Sequence, residues 1–134
     1  AAAIPFLAAH PRSNGRVGAV GFCWGGGMVN ELAARSPDLA AGVVYYGIQP
    51  DLARVPGIRA ALMIHYAGQD ERINAGAAAY EAALRAAGKT VEQHTYPGTQ
   101  HAFNNDTSQA RFDQAAATLA WERTIGWFRR HLAG

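Results

Sequence analysis

Gly21-Phe22-Cys23-Trp24-Gly25-Gly26-Gly27 is the stretch on which the reading of this chain turns. It follows Val17-Gly18-Ala19-Val20, an apolar run expected to be a buried strand. It precedes Met28-Val29-Asn30-Glu31-Leu32-Ala33-Ala34-Arg35, expected to be a helix. A Gly-x-nucleophile-x-Gly sequence between strand and helix describes a nucleophile elbow, here with cysteine where serine is more usual. The nucleophile in such a turn is strained. Its neighbours two residues away must therefore let the strand and helix backbones approach without a Cβ between them. The sulfur would sit above the sheet beside a helix N-terminus, where free N–H groups and the macrodipole favour negative charge. That position is expected to lower the thiol pKa and to stabilise an oxyanion.

Two plainer readings compete. A lone cysteine is often a small buried hydrophobe. Glycine-rich strand-to-helix turns also bind phosphate, but this one has neither the G-x-G-x-x-G spacing nor the terminal Gly-Lys-Ser/Thr of a P-loop.

Composition narrows the class. The 134 residues suffice for one domain or part of one, and 49% hydrophobic with 16% charged residues describes an ordinary core former. The formal charge is +2, and Arg129-Arg130 is only a pair at a helix end, so a nucleic-acid partner is not expected. One cysteine excludes an internal disulfide, and no Cys/His cluster has zinc spacing. These features fit a reducing, cytoplasmic setting. No run reaches membrane-spanning length, and Ala1–Ala9, though apolar, lacks the basic leader and cleavage site of a signal peptide. Neither methionine lies near residue 1, so the chain is expected to begin partway through a longer protein.

Along the chain, Ile4–His10 reads as the end of a helix and Pro11–Gly15 as a turn. Strands are expected at Val17–Phe22, Ala41–Tyr46, Ala60–Tyr66 and Val91–Tyr96. Helices are expected at about Trp24–Arg35, Ala75–Ala87 and Ser108–Leu132. Leu119, Ile125, Trp127, Phe128 and Leu132 are the candidates for the last helix's buried face. Gly47–Gly57 reads as a loop. The alternation implies an α/β fold with a parallel sheet of about four strands and flanking helices.

An elbow cysteine needs a base, and the base needs an orienting group. In open parallel sheets such groups collect beyond the carboxyl ends of the strands. The loop after the third strand holds Asp70, and the loop after the fourth holds His101. Asp70 alone would read as an ordinary turn aspartate. His10 and His131, near helix ends, read as surface residues, and His65 and His94, inside strands, as satisfied core or face histidines. The joint order nucleophile, Asp, His is the order of the α/β-hydrolases.

On Gly21–Gly26, Gly68-Gln69-Asp70, His101-Ala102-Phe103 and Ala120-Trp121-Glu122-Arg123-Thr124, the chain resembles the C-terminal half of the dienelactone hydrolase family. The resemblance covers nearly all of residues 1–134. It implies a single α/β-hydrolase domain present as its C-terminal portion, with the N-terminal strands absent. It also implies Cys23 as nucleophile, His101 as general base and then acid, Asp70 as the orienting group, and the Trp24 backbone N–H as one oxyanion donor. A second donor and an acid that controls the thiol would belong to the absent part. Family members acting on dienelactone hold the substrate carboxylate with an arginine shortly after the histidine, where this chain has Asn104-Asn105-Asp106.

The expected chemistry is cleavage of a small ester or lactone through a thioester, without metal or organic cofactor. The alternative is a non-catalytic fragment or split-domain product that needs an N-terminal partner. The strand over residues 17–22 would then be an apolar edge, expected to be covered by that partner chain or by a second copy in a homodimer.

Overall fold

The two inner strands are nearly continuous apolar runs because a parallel strand covered on both faces must be apolar. The first strand, expected to be buried, is instead a partly exposed edge, and the last carries Glu92, Gln93, His94 and Thr95. In the computed structural model, which describes residues 1–134, the strands are β1 (Gly18–Phe22), β2 (Ala41–Tyr45), β3 (Ala61–Ala67) and β4 (Val91–Tyr96). They pair in that order, all parallel. β2 and β3 are wholly buried. β1 and β4 are the edges, and on β1 the side chains of Val20 and Phe22 are 39% and 37% exposed.

Alternation along the strands makes two cores. Val44, Leu62, Ile64 and Tyr66 meet Ile4 of helix α1 (Ala3–Ala8) and Val29 and Ala33 of α2 (Trp24–Arg35). The same core takes in Ile73 of α3 (Glu71–Asn74) and Tyr80 and Leu84 of α4 (Ala77–Ala86). On the opposite face Val43, Tyr45, Ala61 and Met63 meet Ala116, Ala120 and Trp127 of α5 (Gln114–Leu132).

Four departures from the sequence expectation have physical causes. The loop after β2 contains a short 3-10 helix, Leu52–Gly57, started by Asp51, whose side chain accepts from the Ala53 N–H. The helix expected over residues 75–87 is α4, and a separate single turn of helix, α3, precedes it just after Asp70. The last helix starts at Gln114 because Asp113 caps it, its Oδ1 accepting from the Ala116 N–H at 2.9 Å. Its buried face is Ala116, Ala120, Thr124 and Trp127, whereas Leu119 is 41% exposed. Small residues let α5 lie close against the sheet, at the spacing of one helical stripe.

Thr124 belongs to a buried polar chain whose proton directions can be assigned. Its single hydroxyl proton goes to the Ala120 carbonyl, so Thr124 Oγ1 accepts from the Tyr45 hydroxyl, 2.8 Å, and from His65 Nε2–H, 3.0 Å. His65 Nδ1 then accepts from the Tyr96 hydroxyl, 2.9 Å, which accepts from Arg123 Nη1, 3.2 Å. His65 is thus a neutral, satisfied core residue, as the sequence suggested. This chain ties α5 to the carboxyl ends of β2, β3 and β4, where the loops of interest begin.

Candidate active site

The elbow forms where β1 passes into α2. Cys23 has φ +54° and ψ −123°, a conformation that costs a non-glycine residue energy and turns its side chain out of the strand. Two contacts hold it there: the Cys23 N–H donates to the Tyr45 carbonyl at 3.0 Å, and the Cys23 carbonyl accepts from the Gly26 and Gly27 N–H groups. Close approach explains the glycines, with one correction. A Cβ on Gly21 would lie 2.1 Å from the Gly25 carbonyl oxygen, and one on Gly26 would lie 2.7 Å from the Tyr45 oxygen. Gly25 has open space around it, so the helix side of the turn needs its glycine at 26. Trp24 is the first helical residue, and its N–H has no intrahelical partner.

The loops after β3 and β4 are fastened to each other. The Gln69 N–H donates to the Thr99 carbonyl at 2.8 Å, and the Gly68 N–H lies 3.0 Å from the Tyr96 oxygen and 3.2 Å from Thr99 Oγ1. Asp70 stands at the N-cap of α3, yet its carboxylate caps nothing. Instead Asp70 Oδ2 accepts from His101 Nδ1–H at 2.5 Å, with the aspartate 9% exposed. That bond leaves His101 Nε2 as the basic nitrogen. His101 is also steadied by its neighbours: Ala102 takes φ +71°, and Phe103 is fully buried among Tyr45, Tyr46 and Tyr96.

Cys23 and His101 line one cavity of about 140 Å³ with Trp24, Tyr46, Ile48 and Arg72. No hydrogen bond joins the sulfur to the imidazole. The thiol pKa is raised above its ordinary value, chiefly by burial. Arg111 pulls it down and Asp70 pushes it up by smaller amounts. The expectation of a lowered pKa is not met: withdrawal of water from a partly buried sulfur is the largest influence, and the Arg111 charge does not reverse it. The resting nucleophile candidate is a neutral thiol.

The remaining histidines lie apart from the cavity. His10 is exposed and accepts the Arg12 N–H, and His94 pairs with Glu92 at 2.9 Å. His131 is only half exposed, packing on Trp127 with its Nε2 buried and unpartnered, so its reading as a surface residue is corrected. Tyr46 was missed by the sequence reading. It follows β2 at the same sheet end as the other site residues, and its ring lies 5.0 Å from that of His101. No cluster of His, Cys, Asp and Glu is arranged to hold a metal ion, and no helix is long and apolar enough to cross a membrane.

A parallel sheet carrying a strained cysteine elbow after one strand, and a bonded Asp–His pair after two others, has the fold of an α/β-hydrolase-type protein. The sequence profile of the dienelactone hydrolase family matches residues 1–132, and the chain belongs to that family. It is 36% identical over 124 residues to carboxymethylenebutenolidase 1 of Cupriavidus pinatubonensis, covering 92% of this chain and 52% of that protein. To the carboxymethylenebutenolidase of Pseudomonas putida it is 33% identical over 125 residues, covering 92% and 52%. The dienelactone hydrolase of Anabaena variabilis shares the fold, with a TM-score of 0.75 over 97% of this chain and 56% of that one, at 24% identity. The chain spans about half the length of the curated relatives it matches.

Proposed function

We propose that Cys23 attacks the carbonyl of a small carboxylic ester or lactone, within a protein that hydrolyses it through a thioester. The observation that carries this reading is the His101–Asp70 hydrogen bond beside a cavity that His101 shares with Cys23. Because the resting thiol is neutral, its proton passes to His101 Nε2 as the S–C bond forms. The imidazolium, steadied by Asp70, gives that proton to the departing alkoxide as the C–O bond breaks. A water then takes the same route: His101 removes its proton, the oxygen attacks the thioester, and the thiol is restored. The Trp24 N–H is the oxyanion donor on this chain.

The test is intact mass after exposure to a p-nitrophenyl ester. The wild-type chain gains one acyl group on Cys23, Cys23→Ala gains none, and Cys23→Ser keeps a reduced rate because the elbow is unchanged. Equal turnover by Cys23→Ala places the chemistry elsewhere.

The exposed β1 edge with Val20, Phe22 and the 79%-exposed Trp24 supports a second part to the proposal. Residues 1–134 form one α/β-hydrolase domain in part, and further polypeptide or a second copy covers β1. That covering segment also supplies the second oxyanion donor, so the isolated chain forms the thioester with an activated ester but turns over slowly. Light scattering that finds a stable monomer at tens of micromolar removes this part. The single cysteine favours a reducing, cytoplasmic setting.

A further inference from the structure

Cys23 and Tyr46 are shared by two cavities, which gives the candidate site two sides. One, of about 140 Å³, contains His101, with Arg72 and Ile73 in its wall. The other, of about 290 Å³, is lined by Phe22, Ala102, Asn104 and Asn105 and does not contain the imidazole. Tyr46 lies between them because of its backbone. With φ +38° it turns its ring against His101 and Phe103, at 5.0 and 5.2 Å, and its hydroxyl meets the Asn104 backbone.

With Cys23 as nucleophile, the reading on which this inference rests, chemistry assigns the two sides. His101 must reach the oxygen that leaves, so the alcohol half of the ester belongs in the cavity containing the imidazole. The acyl chain, bonded to Sγ in the thioester, then extends into the 290 Å³ side. There Asn105 Oδ1 accepts from the Thr107 N–H at 3.1 Å and from the Thr107 hydroxyl at 2.6 Å. These bonds engage the oxygen end of the carboxamide and leave its Nδ2–H groups without a protein partner. No acidic or basic side chain lines this cavity, and Arg111, whose charge acts on the Cys23 thiol, is not among its lining residues. Asn105 is exposed, so water meets these donors in the free protein. An acceptor on the bound chain is favoured over an apolar group of the same size because it restores the bonds that the chain displaces.

We propose that Asn104 and Asn105 select the acyl half of the substrate, preferring a chain that carries a neutral hydrogen-bond acceptor, such as a keto carbonyl, a few bonds from the scissile carbonyl.

The experiment compares p-nitrophenyl pentanoate with p-nitrophenyl 4-oxopentanoate, each rate normalised to that with a simple free thiol. Acylation of Cys23 is followed by nitrophenolate release and intact mass, with iodoacetamide alkylation as the measure of thiol access. The 4-oxo ester should acylate wild type about three- to tenfold faster. That ratio should fall toward one in Asn105→Ala and Asn104→Ala, both loop variants whose folding is checked by thermal melting. Arg72→Gln alters the alcohol side and should keep the ratio. A ratio unchanged in both asparagine variants, or lost in Arg72→Gln, overturns the assignment of sides while leaving Cys23 as nucleophile. A thiol that iodoacetamide alkylates but neither ester acylates overturns the nucleophile reading and this inference with it.

Discussion

Acid should weaken this fold through one residue, His65. Burial drives its pKa down to about 3 from 6.5, with the charges of His94 and Arg123 adding to the effect. The sign follows from proton counting. Between those two values the unfolded chain binds a proton that the folded chain refuses, so stability falls as pH falls from about 6.5 toward 3. At one pKa unit per 1.36 kcal/mol, the loss is about 2 kcal/mol at pH 5 and about 3 kcal/mol at pH 4. Against a typical total of about 5–15 kcal/mol, that is a large share. The perturbation is His65→Gln, which removes the titrating ring but keeps polar atoms near Thr124 and Tyr96. At pH 7.5 it should cost about 1–3 kcal/mol, through lost packing and an imperfect replacement of two hydrogen bonds. Urea unfolding at pH 7.5, 6, 5 and 4 for both proteins isolates the effect, because every other titrating group is common to the pair. Wild type should lose about 2 kcal/mol more than the variant between pH 7.5 and 5, so the two curves converge in acid. Parallel curves would refute the neutral, Nε2-protonated assignment of His65.

Three further outcomes test the elbow and its partners. Gly26→Ala should lower stability by about 1–3 kcal/mol because its Cβ meets the Tyr45 oxygen at 2.7 Å, whereas Gly25→Ala, with open space, should be neutral or stabilising by melting temperature. Asp70→Asn should cut acylation of Cys23 by about 1,000-fold or more, measured by nitrophenolate burst, since the amide cannot hold His101 in the tautomer with Nε2 basic. The raised thiol pKa means that the rate of iodoacetamide alkylation should still be climbing at pH 9, and a plateau by pH 8 would contradict burial as the dominant influence.

Much of this architecture was legible in the sequence where a local rule governs it. Val91–Tyr96 and Trp24–Arg35 were read to the residue, because a Pro-Gly pair ends the strand and Ser36-Pro37 ends the helix. Asp70 and His101 stood out because strand ends in a parallel sheet bring short loops together wherever their side chains point. The face of α5 was legible only in part: Trp127 is buried and Phe128 and Leu132 pack against the same core, as expected, whereas Leu119 is exposed. Periodicity was sought in large apolar residues, but the stripe that packs also runs through Ala116, Ala120 and Thr124, and its value there lies in closeness and one hydroxyl. The start of that helix was misread for a related reason: residues 104–112 are held by turns such as the Asn105–Thr107 contact, which no helical period announces.

The thiol marks the boundary between what sequence carries and what packing decides. A helix N-terminus beside Cys23 was certain once the elbow was recognised, and by itself it argues for a thiolate. How far water is withdrawn from the sulfur depends on residues such as Tyr46, Ile48, Ala102 and Asn104, which line the cavities beside it from two loops. Desolvation wins at Cys23, and Arg111 does not reverse it. The same burial that raises the thiol pKa strengthens any hydrogen bond made to a developing oxyanion at the Trp24 N–H. A thiol neutral at rest and ionised only as His101 takes its proton is therefore consistent with the elbow's geometry. It also limits the lifetime of a thiolate exposed to oxidants while no substrate is bound.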